Sequence, residues 1–210
     1  MKRSGRPLVA VVDYGAGNLV SIHQAFSTLG AEVRIVADPA ALSEADALVV
    51  PGVGAAAPAM ARLERQGLVD PIAVWLAADR PFLGICLGLQ LLFEGSDEDG
   101  AVTLGVLPGR TRRLRDAPTL PHIGWNQVAR TYPHPVFDSI NEGADFYFVH
   151  SYAGDLPDGH CDVVAHTTHG STFVSAVSRG SMIGVQFHPE RSGTDGLRLL
   201  ANFVDLVKAA

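Results

Sequence analysis

The stretch PFLGICLGLQLLFEGS, Pro81 to Ser96, decides the fold. Phe82, Leu83 and Ile85 read as a short buried strand. From Leu87 onward, Leu89, Leu91, Leu92 and Phe93 supply the broad apolar face of a helix. Between them lies Gly84-Ile85-Cys86-Leu87-Gly88. A nucleophile centred in a G-x-C-x-G turn has the shape of a nucleophile elbow, with Cys in place of Ser. The turn crowds the backbone, so the flanking positions need no side chain. It lifts the central side chain above the sheet at the amino end of a helix, where unpaired N–H groups favour the reactive thiolate. The alternative is a structural Cys in a Leu-rich core.

Working outward, strand alternates with helix along the amino half. Leu8 to Val12 reads as a first buried strand. Asp13 to Asn18 form a turn, and Leu19, Ile22, Phe26 and Leu29 mark a helix face ending at Gly30. Glu32 to Val36 and Ala47 to Val50 are further strands, the latter ended by Pro51-Gly52-Val53-Gly54. A long helical region, broken or kinked near Pro71, runs to Ala78. This alternation indicates an α/β fold, doubly wound, with a mostly parallel central sheet flanked by helices. After Ser96 short strands recur at Val102–Leu107, Arg110–Leu114, Trp125–Ala129, Asp145–Tyr152, Cys161–Thr167, Thr172–Val177 and Met182–Phe187. The carboxyl half is strand-rich, extends the sheet with mixed strands, and closes with a helix over Leu197 to Val207.

With 210 residues, 47% hydrophobic and 18% charged, the chain reads as one globular domain, with residues 1–7 as a flexible tail. A formal charge of −6 gives no electrostatic reason to bind nucleic acid. Arg110, Arg112, Arg113 and Arg115 read as a solvated strand face. Cys86 and Cys161 do not make a disulfide framework, which fits a reducing cytoplasm. No apolar run approaches the ~20 residues of a membrane span, and no signal peptide precedes the first strand. The expectation is a soluble cytoplasmic protein.

The second stretch with chemical content is Gly184-Val185-Gln186-Phe187-His188-Pro189-Glu190. A residue before proline is held extended, so His188 continues the strand and Glu190 lies two positions on, pointing to the same side. A carboxylate there can accept the ring Nδ1–H, leaving Nε2 to take a proton from a thiol. The alternative is a surface His-Pro turn; a Cys elbow elsewhere in the chain reverses that balance. The third stretch is Pro51-Gly52-Val53-Gly54, whose glycines allow close approach of a ligand to exposed N–H groups, as an oxyanion hole requires.

Three lookalikes fail. Gly15-Ala16-Gly17-Asn18-Leu19-Val20 resembles a dinucleotide fingerprint, but Val20 stands where the third glycine belongs. No G-x-x-x-x-G-K-[ST] occurs. His160, Cys161, His166 and His169 match no standard zinc spacing, so no metal is assigned.

Together PGVG, GICLGLQ and GVQFHPE resemble, in that order, the class I glutamine amidotransferases. Asp13 to Leu19 (DYGAGNL), Pro121 to Asn126 (PHIGWN) and Phe146 to Tyr152 (FYFVHSY) narrow the resemblance to the glutaminase subunits of imidazole glycerol phosphate synthases, over the chain from Val9 to the final helix. The resemblance implies Cys86 as nucleophile towards glutamine, His188 as base and Glu190 as its orienter. It implies an oxyanion site at the N–H groups of Val53 and Leu87. It also implies a glutamine pocket lined by Gly52, Gly54, Gln90, Ser151 and Tyr152, and no cofactor. The implied partner is a cyclase subunit, a (β/α)8 barrel, forming a heterodimer through Tyr14, Asn18, Trp125, Tyr147 and Arg191 and using the ammonia to make imidazole glycerol phosphate and an aminoimidazole carboxamide ribonucleotide. Residue type leaves Trp125 open between interface anchor and core residue. Two positions depart from the family pattern: Ala56 where a bulky aromatic is usual, and Arg191 where Lys is usual.

Two rival readings follow from the same residues. A glutaminase subunit of another synthase, serving anthranilate, aminodeoxychorismate or purine biosynthesis, shares the triad motifs but not the HIGWN stretch. A silent interaction module on this fold has no chemical need for Cys86, His188 and Glu190 together.

Overall fold

In the computed structural model, which describes residues 5–156, 160 and 162–210, the elements follow the expected alternation. They are β1 (Leu8–Val12), α1 (Leu19–Thr28), β2 (Glu32–Val36), β3 (Ala47–Val50), α2 (Ala56–Arg65), α3 (Val69–Ala77), β4 (Phe82–Ile85), α4 (Leu87–Gln90), β5 (Gly95–Ser96), β6 (Arg110–Arg113), β7 (His122–Gln127), β8 (Ala129–Arg130), β9 (Asp145–His150), β10 (Tyr152–Gly154), β11 (Val163–His169), β12 (Ser171–Arg179), β13 (Met182–Val185) and α5 (Gly193–Ala209). The main sheet runs β2-β1-β3-β4-β13-β12-β11-β8. Its first five strands pair in parallel and the last three antiparallel.

Strands covered on both faces must be apolar on both, and β1, β3, β4 and β13 are buried at every position. The side-chain period of two then splits them. In β1, Val9 and Val11 join one core with Phe26 of α1 and Phe203 of α5, while Leu8, Ala10 and Val12 join the other with Leu63 of α2 and Trp75 of α3. The edge strand β2 is instead half-exposed, and its Arg34 pairs with Glu32 and Glu44, charges that discourage a further strand from adding there.

Several expectations are corrected. The break in the long helical region lies between Arg65 and Val69, around Gly67 at φ 66°, not at Pro71. Pro71 sits in the first turn of α3, where its missing N–H costs no helical bond. The helix after Cys86 is one turn, Leu87–Gln90. Val102–Leu107 is not a strand but the loop that ends it: Leu104, Gly105 and Leu107 donate to the carbonyls of Leu91, Phe93 and Leu92. The strand expected over Trp125–Ala129 begins earlier, at His122, and is interrupted at Val128. That expected over Asp145–Tyr152 is divided at Ser151. The last helix starts at Gly193, ahead of Leu197. Of residues 1–7, Pro7 is buried and its carbonyl accepts the Glu32 N–H at 2.9 Å.

Register gathers the chemistry. Val50 pairs with Gly84, and Ile85 with Val185. The loops leaving β3, β4 and β13 therefore start side by side at the carboxyl ends of adjacent strands, where open α/β sheets place their sites.

Candidate active site

Cys86 leaves β4 at φ 54°, ψ −106°, a left-handed conformation that a non-glycine residue adopts only under constraint. The flanking glycines supply it. A Cβ on Gly84 would come within 2.7 Å of the Gly88 carbonyl oxygen, and one on Gly88 would collide with the Val50 carbonyl. The thiol is buried, yet lines a cavity of about 250 Å³ with Val53, Gly54, Gln90, Glu98, His150 and Tyr152.

His188 follows β13 in extended conformation, with φ −103° and ψ 92°. Its Nδ1–H donates to Glu190 Oε1 at 2.9 Å, and both side chains are buried. Nε2 makes no hydrogen bond of normal geometry and is the ring atom available to exchange a proton with the thiol. Burial alone would lower the imidazole pKa, but Cys86 and Glu190 outweigh it and raise it to about 10. The structure thus pairs His188 with Glu190 and sets the imidazole near Cys86.

The oxyanion candidates flank the thiol. Leu87 opens α4, so its N–H has no intrahelical acceptor. Val53 is half-exposed at the cavity, and its φ is not positive. Gly52 is where backbone must pass close: a Cβ there would strike Tyr14 Oη and come within 2.9 Å of Leu87 Cβ. Gly54, at φ 92°, completes the turn. Gln90 Nε2 donates to the Tyr152 carbonyl at 2.7 Å and to Gln186 Oε1 at 3.1 Å, so it braces the cavity wall. Ser151 lines the same wall.

The expected partner face is partly corrected. Tyr14 is only 1% exposed, packed beneath the PGVG turn with its hydroxyl donating to the Pro51 carbonyl at 2.7 Å, so it offers a partner no surface. Burial and the facing Cys86 raise its phenol pKa. Trp125, in contrast, is 57% exposed, which excludes the core reading. It lies edge-on to Tyr147, over which the Arg191 guanidinium stacks at 4.2 Å. Asn18 is exposed and caps α1 through Ser21 N–H.

Sequence reasoning missed further residues. Glu98 places a carboxylate in the cavity, its pKa raised by partial burial and by Asp99. His150 donates from Nδ1 to the Tyr152 carbonyl at 2.9 Å. A carbonyl can only accept, so His150 Nε2 must accept from His122 Nδ1, 3.1 Å away. Burial, offset only partly by that carbonyl, lowers His150 to about 3; burial and the neighbouring His169 lower His122 to about 4. Ser192 donates to the His188 carbonyl at 2.6 Å and accepts the Tyr147 N–H at 3.0 Å. Gln186 was quoted only as part of a motif. His122 lies 28 residues from His150 and Tyr147 lies 45 from Ser192, so for these contacts local pattern carried no signal.

Among the described residues no group of three or more His, Cys, Asp or Glu is arranged to hold a metal ion, and no helix is long and apolar enough to cross a membrane. Cys161 lies outside the described residues.

The geometry agrees with what the chain is similar to. The family model of glutamine amidotransferase class-I matches residues 10–207. The chain is 46% identical over 205 residues to the imidazole glycerol phosphate synthase subunit HisH of Microcystis aeruginosa, covering 96% of each chain. It is 48% identical to the HisH subunit of Synechococcus sp. (strain JA-3-3Ab), covering 95% of this chain and 94% of that one. In fold it is similar to a crystal structure described as glutamine amidotransferase, with TM-score 0.75, 19% identity and coverage of 95% of this chain and 98% of that one. It is also similar to PurLQS from Thermotoga maritima, with TM-score 0.74, 19% identity and coverage of 96% and 99%.

Proposed function

The chain belongs to the class-I glutamine amidotransferase family and, within it, to the HisH subunits of imidazole glycerol phosphate synthase; from that premise we propose that it hydrolyses glutamine and hands the ammonia to a cyclase subunit in histidine biosynthesis. The observation that carries the reading is the buried His188–Glu190 pair beside a cysteine held at positive φ.

Cys86 sulfur, as thiolate opposite the His188 imidazolium, attacks the side-chain carboxamide carbon of glutamine. The carbonyl electrons move onto oxygen, and the N–H groups of Val53 and Leu87 hold that oxyanion. As the tetrahedral intermediate collapses, the C–N bond breaks and His188 Nε2 gives its proton to the leaving nitrogen, releasing ammonia. A γ-glutamyl thioester remains. Neutral His188 then takes a proton from water, whose oxygen attacks the thioester carbon; the C–S bond breaks and glutamate leaves. Glu190 keeps Nδ1 protonated and stabilises the imidazolium in both halves. Gly52, Gly54, Gln90, Ser151 and Tyr152 frame the substrate, and the Glu98 carboxylate faces its α-ammonium group.

Trp125, Tyr147, Arg191 and Asn18 form the face offered to the cyclase, a (β/α)8 barrel that consumes ammonia to make imidazole glycerol phosphate and the aminoimidazole carboxamide ribonucleotide. The protein acts in the cytoplasm, without nucleic acid or membrane. The test is glutamate release with and without the cyclase and its nucleotide ligand. Acceleration by that partner supports the reading. Activation instead by an anthranilate, aminodeoxychorismate or purine synthase subunit would replace it.

A further inference from the structure

Cys86 and Gln186 stand one residue beyond the paired ends of β4 and β13, where Ile85 faces Val185. Gln186 is fully buried, and its Nε2 lies 3.6 Å from Cys86 Sγ, a normal N–H···S separation given the size of sulfur. Its direction is set by a chain of obligatory roles. The Tyr152 carbonyl can only accept, so Gln90 must present its NH₂ end there, at 2.7 Å. The second N–H of that group reaches Gln186 Oε1 at 3.1 Å, so Gln186 must turn its own NH₂ end to the sulfur. The polarity of a buried amide is thus dictated by one backbone carbonyl in the cavity wall.

We propose that Gln186 is a positioning residue for the nucleophile: its side-chain amide donates to the Cys86 sulfur, favours the thiolate and holds it towards the cavity. This rests on the reading of Cys86 as nucleophile. A hydrogen bond made to the charged form of a group favours that form, and a buried one acts without competition from water. The titratable groups that face or line the site with this sulfur are His188 after β13, Tyr14 after β1, and His150, Tyr152 and Glu98 in the cavity wall. Of the side chains around it, Gln186 contributes a neutral donor that stays a donor at every pH. Gln90 acts one step further back, by orienting Gln186.

The experiment measures alkylation of Cys86 by iodoacetamide against pH in the full-length chain, with peptide mapping to separate Cys86 from Cys161. Gln186→Leu removes the donor; Gln186→Glu keeps the shape and the acceptor for Gln90 but presents an acceptor to sulfur. Both should move the alkylation midpoint up by about one pH unit or more and slow alkylation at neutral pH roughly tenfold. The shift should be larger for Gln186→Glu, with kcat falling and KM for glutamine little changed. A purely space-filling role predicts an unchanged midpoint in folded Gln186→Leu, which adds no charge, and that result overturns the proposal. Cys86→Ala keeps the two readings apart. If it retains glutaminase activity, the nucleophile assignment fails; if it is inactive while the midpoint stays fixed, only Gln186 fails. Should neither Gln186 variant fold, the side-chain amide resonances of Gln186 in the wild-type chain decide. They should shift on alkylation of Cys86, and unmoved resonances refute the contact.

Discussion

The carbonyl of Tyr147 accepts the N–H of His188 at 2.9 Å, so the strand whose half-buried Tyr147 ring meets Trp125 and Arg191 also fixes the backbone of the buried base. Ser192 bridges the same two segments. The Trp125, Tyr147 and Arg191 face and the imidazole therefore share one short rigid connection. A partner pressing on the ring acts next to the base.

Cys86→Ala should lower glutamine hydrolysis by at least roughly 10⁴-fold while the chain stays folded. The alanine inherits the same positive φ and loses one buried sulfur, a change the cavity side tolerates. A complex with the cyclase should still form product from added ammonium salt. Glutamate assay and thermal melting check both halves; near-normal hydrolysis sinks the triad.

Gly88→Ala should cost on the order of 4 kcal/mol or prevent folding, because its Cβ has only the space of the Val50 carbonyl. Gly54→Ala meets no neighbour within 4 Å and suffers only the strain of φ 92°, so its loss should be nearer ~1–2 kcal/mol. Urea unfolding of the two variants should rank them in that order.

Stability should respond to pH on both limbs. His188 is raised to about 10, so its contribution is complete below the ordinary value of 6.5 and is lost as pH climbs from there to about 10. Glu190→Gln removes one cause of that shift and should flatten this limb, while lowering kcat by about 10²–10⁴. His122 and His150 run the other way: at about 4 and about 3 they stay neutral while the unfolded chain takes up protons, so stability falls as pH drops from 6.5 towards 4. His150→Gln should make the acid limb shallower. Urea midpoints between pH 4 and 10 test each sign; identical profiles in all three proteins would remove these groups as the cause.

How much of this was legible depends on where the partners lie. The parallel strands could be read because burial on both faces leaves an unbroken apolar run, and the elbow because its glycines have no room for a side chain. His188 and Glu190 were legible as neighbours two apart, but the expected extended segment ends at His188: Pro189–Arg191 form a 3-10 turn, and that turn brings the carboxylate to Nδ1. Gln90 pairs with Tyr152 and Gln186 across the sheet, 62 and 96 residues away, and no local pattern encodes that. Val102–Leu107 misled because its leucines are buried from a loop: Leu107 lies in the core and Leu104 packs against it, while the loop's N–H groups bond the carbonyls of Leu91, Leu92 and Phe93 instead of a neighbouring strand. Tyr14 misled because a motif position says nothing of which way a ring turns; here it fills the space that Gly52 leaves.

The last prediction concerns coupling. Hydrolysing glutamine without an ammonia acceptor wastes it, so the free subunit should be slow and docking with the liganded cyclase should accelerate it. Val53 is absent from the positive-φ residues, so the turn before the site rests in its unstrained form. Turning over the Gly52–Val53 peptide changes ψ of Gly52 and φ of Val53, and we expect only the turned state to aim the Val53 N–H at the oxyanion. Positive φ at a β-branched residue costs on the order of 1–3 kcal/mol, which keeps the turned state a minor population. One missing oxyanion donor lowers rate by ~10²–10³, so the switch can govern most of the activity. The turn is packed on Tyr14, at the start of the loop whose far end carries exposed Asn18, which gives a docked partner a short path to it. Val53→Gly removes the Cβ that makes one state costly. It should raise partner-independent glutaminase activity and shrink the activation factor by a comparable amount. Steady-state rates of both proteins, with and without the cyclase, decide it: an unchanged basal rate together with unchanged activation means that the peptide turn is not the switch.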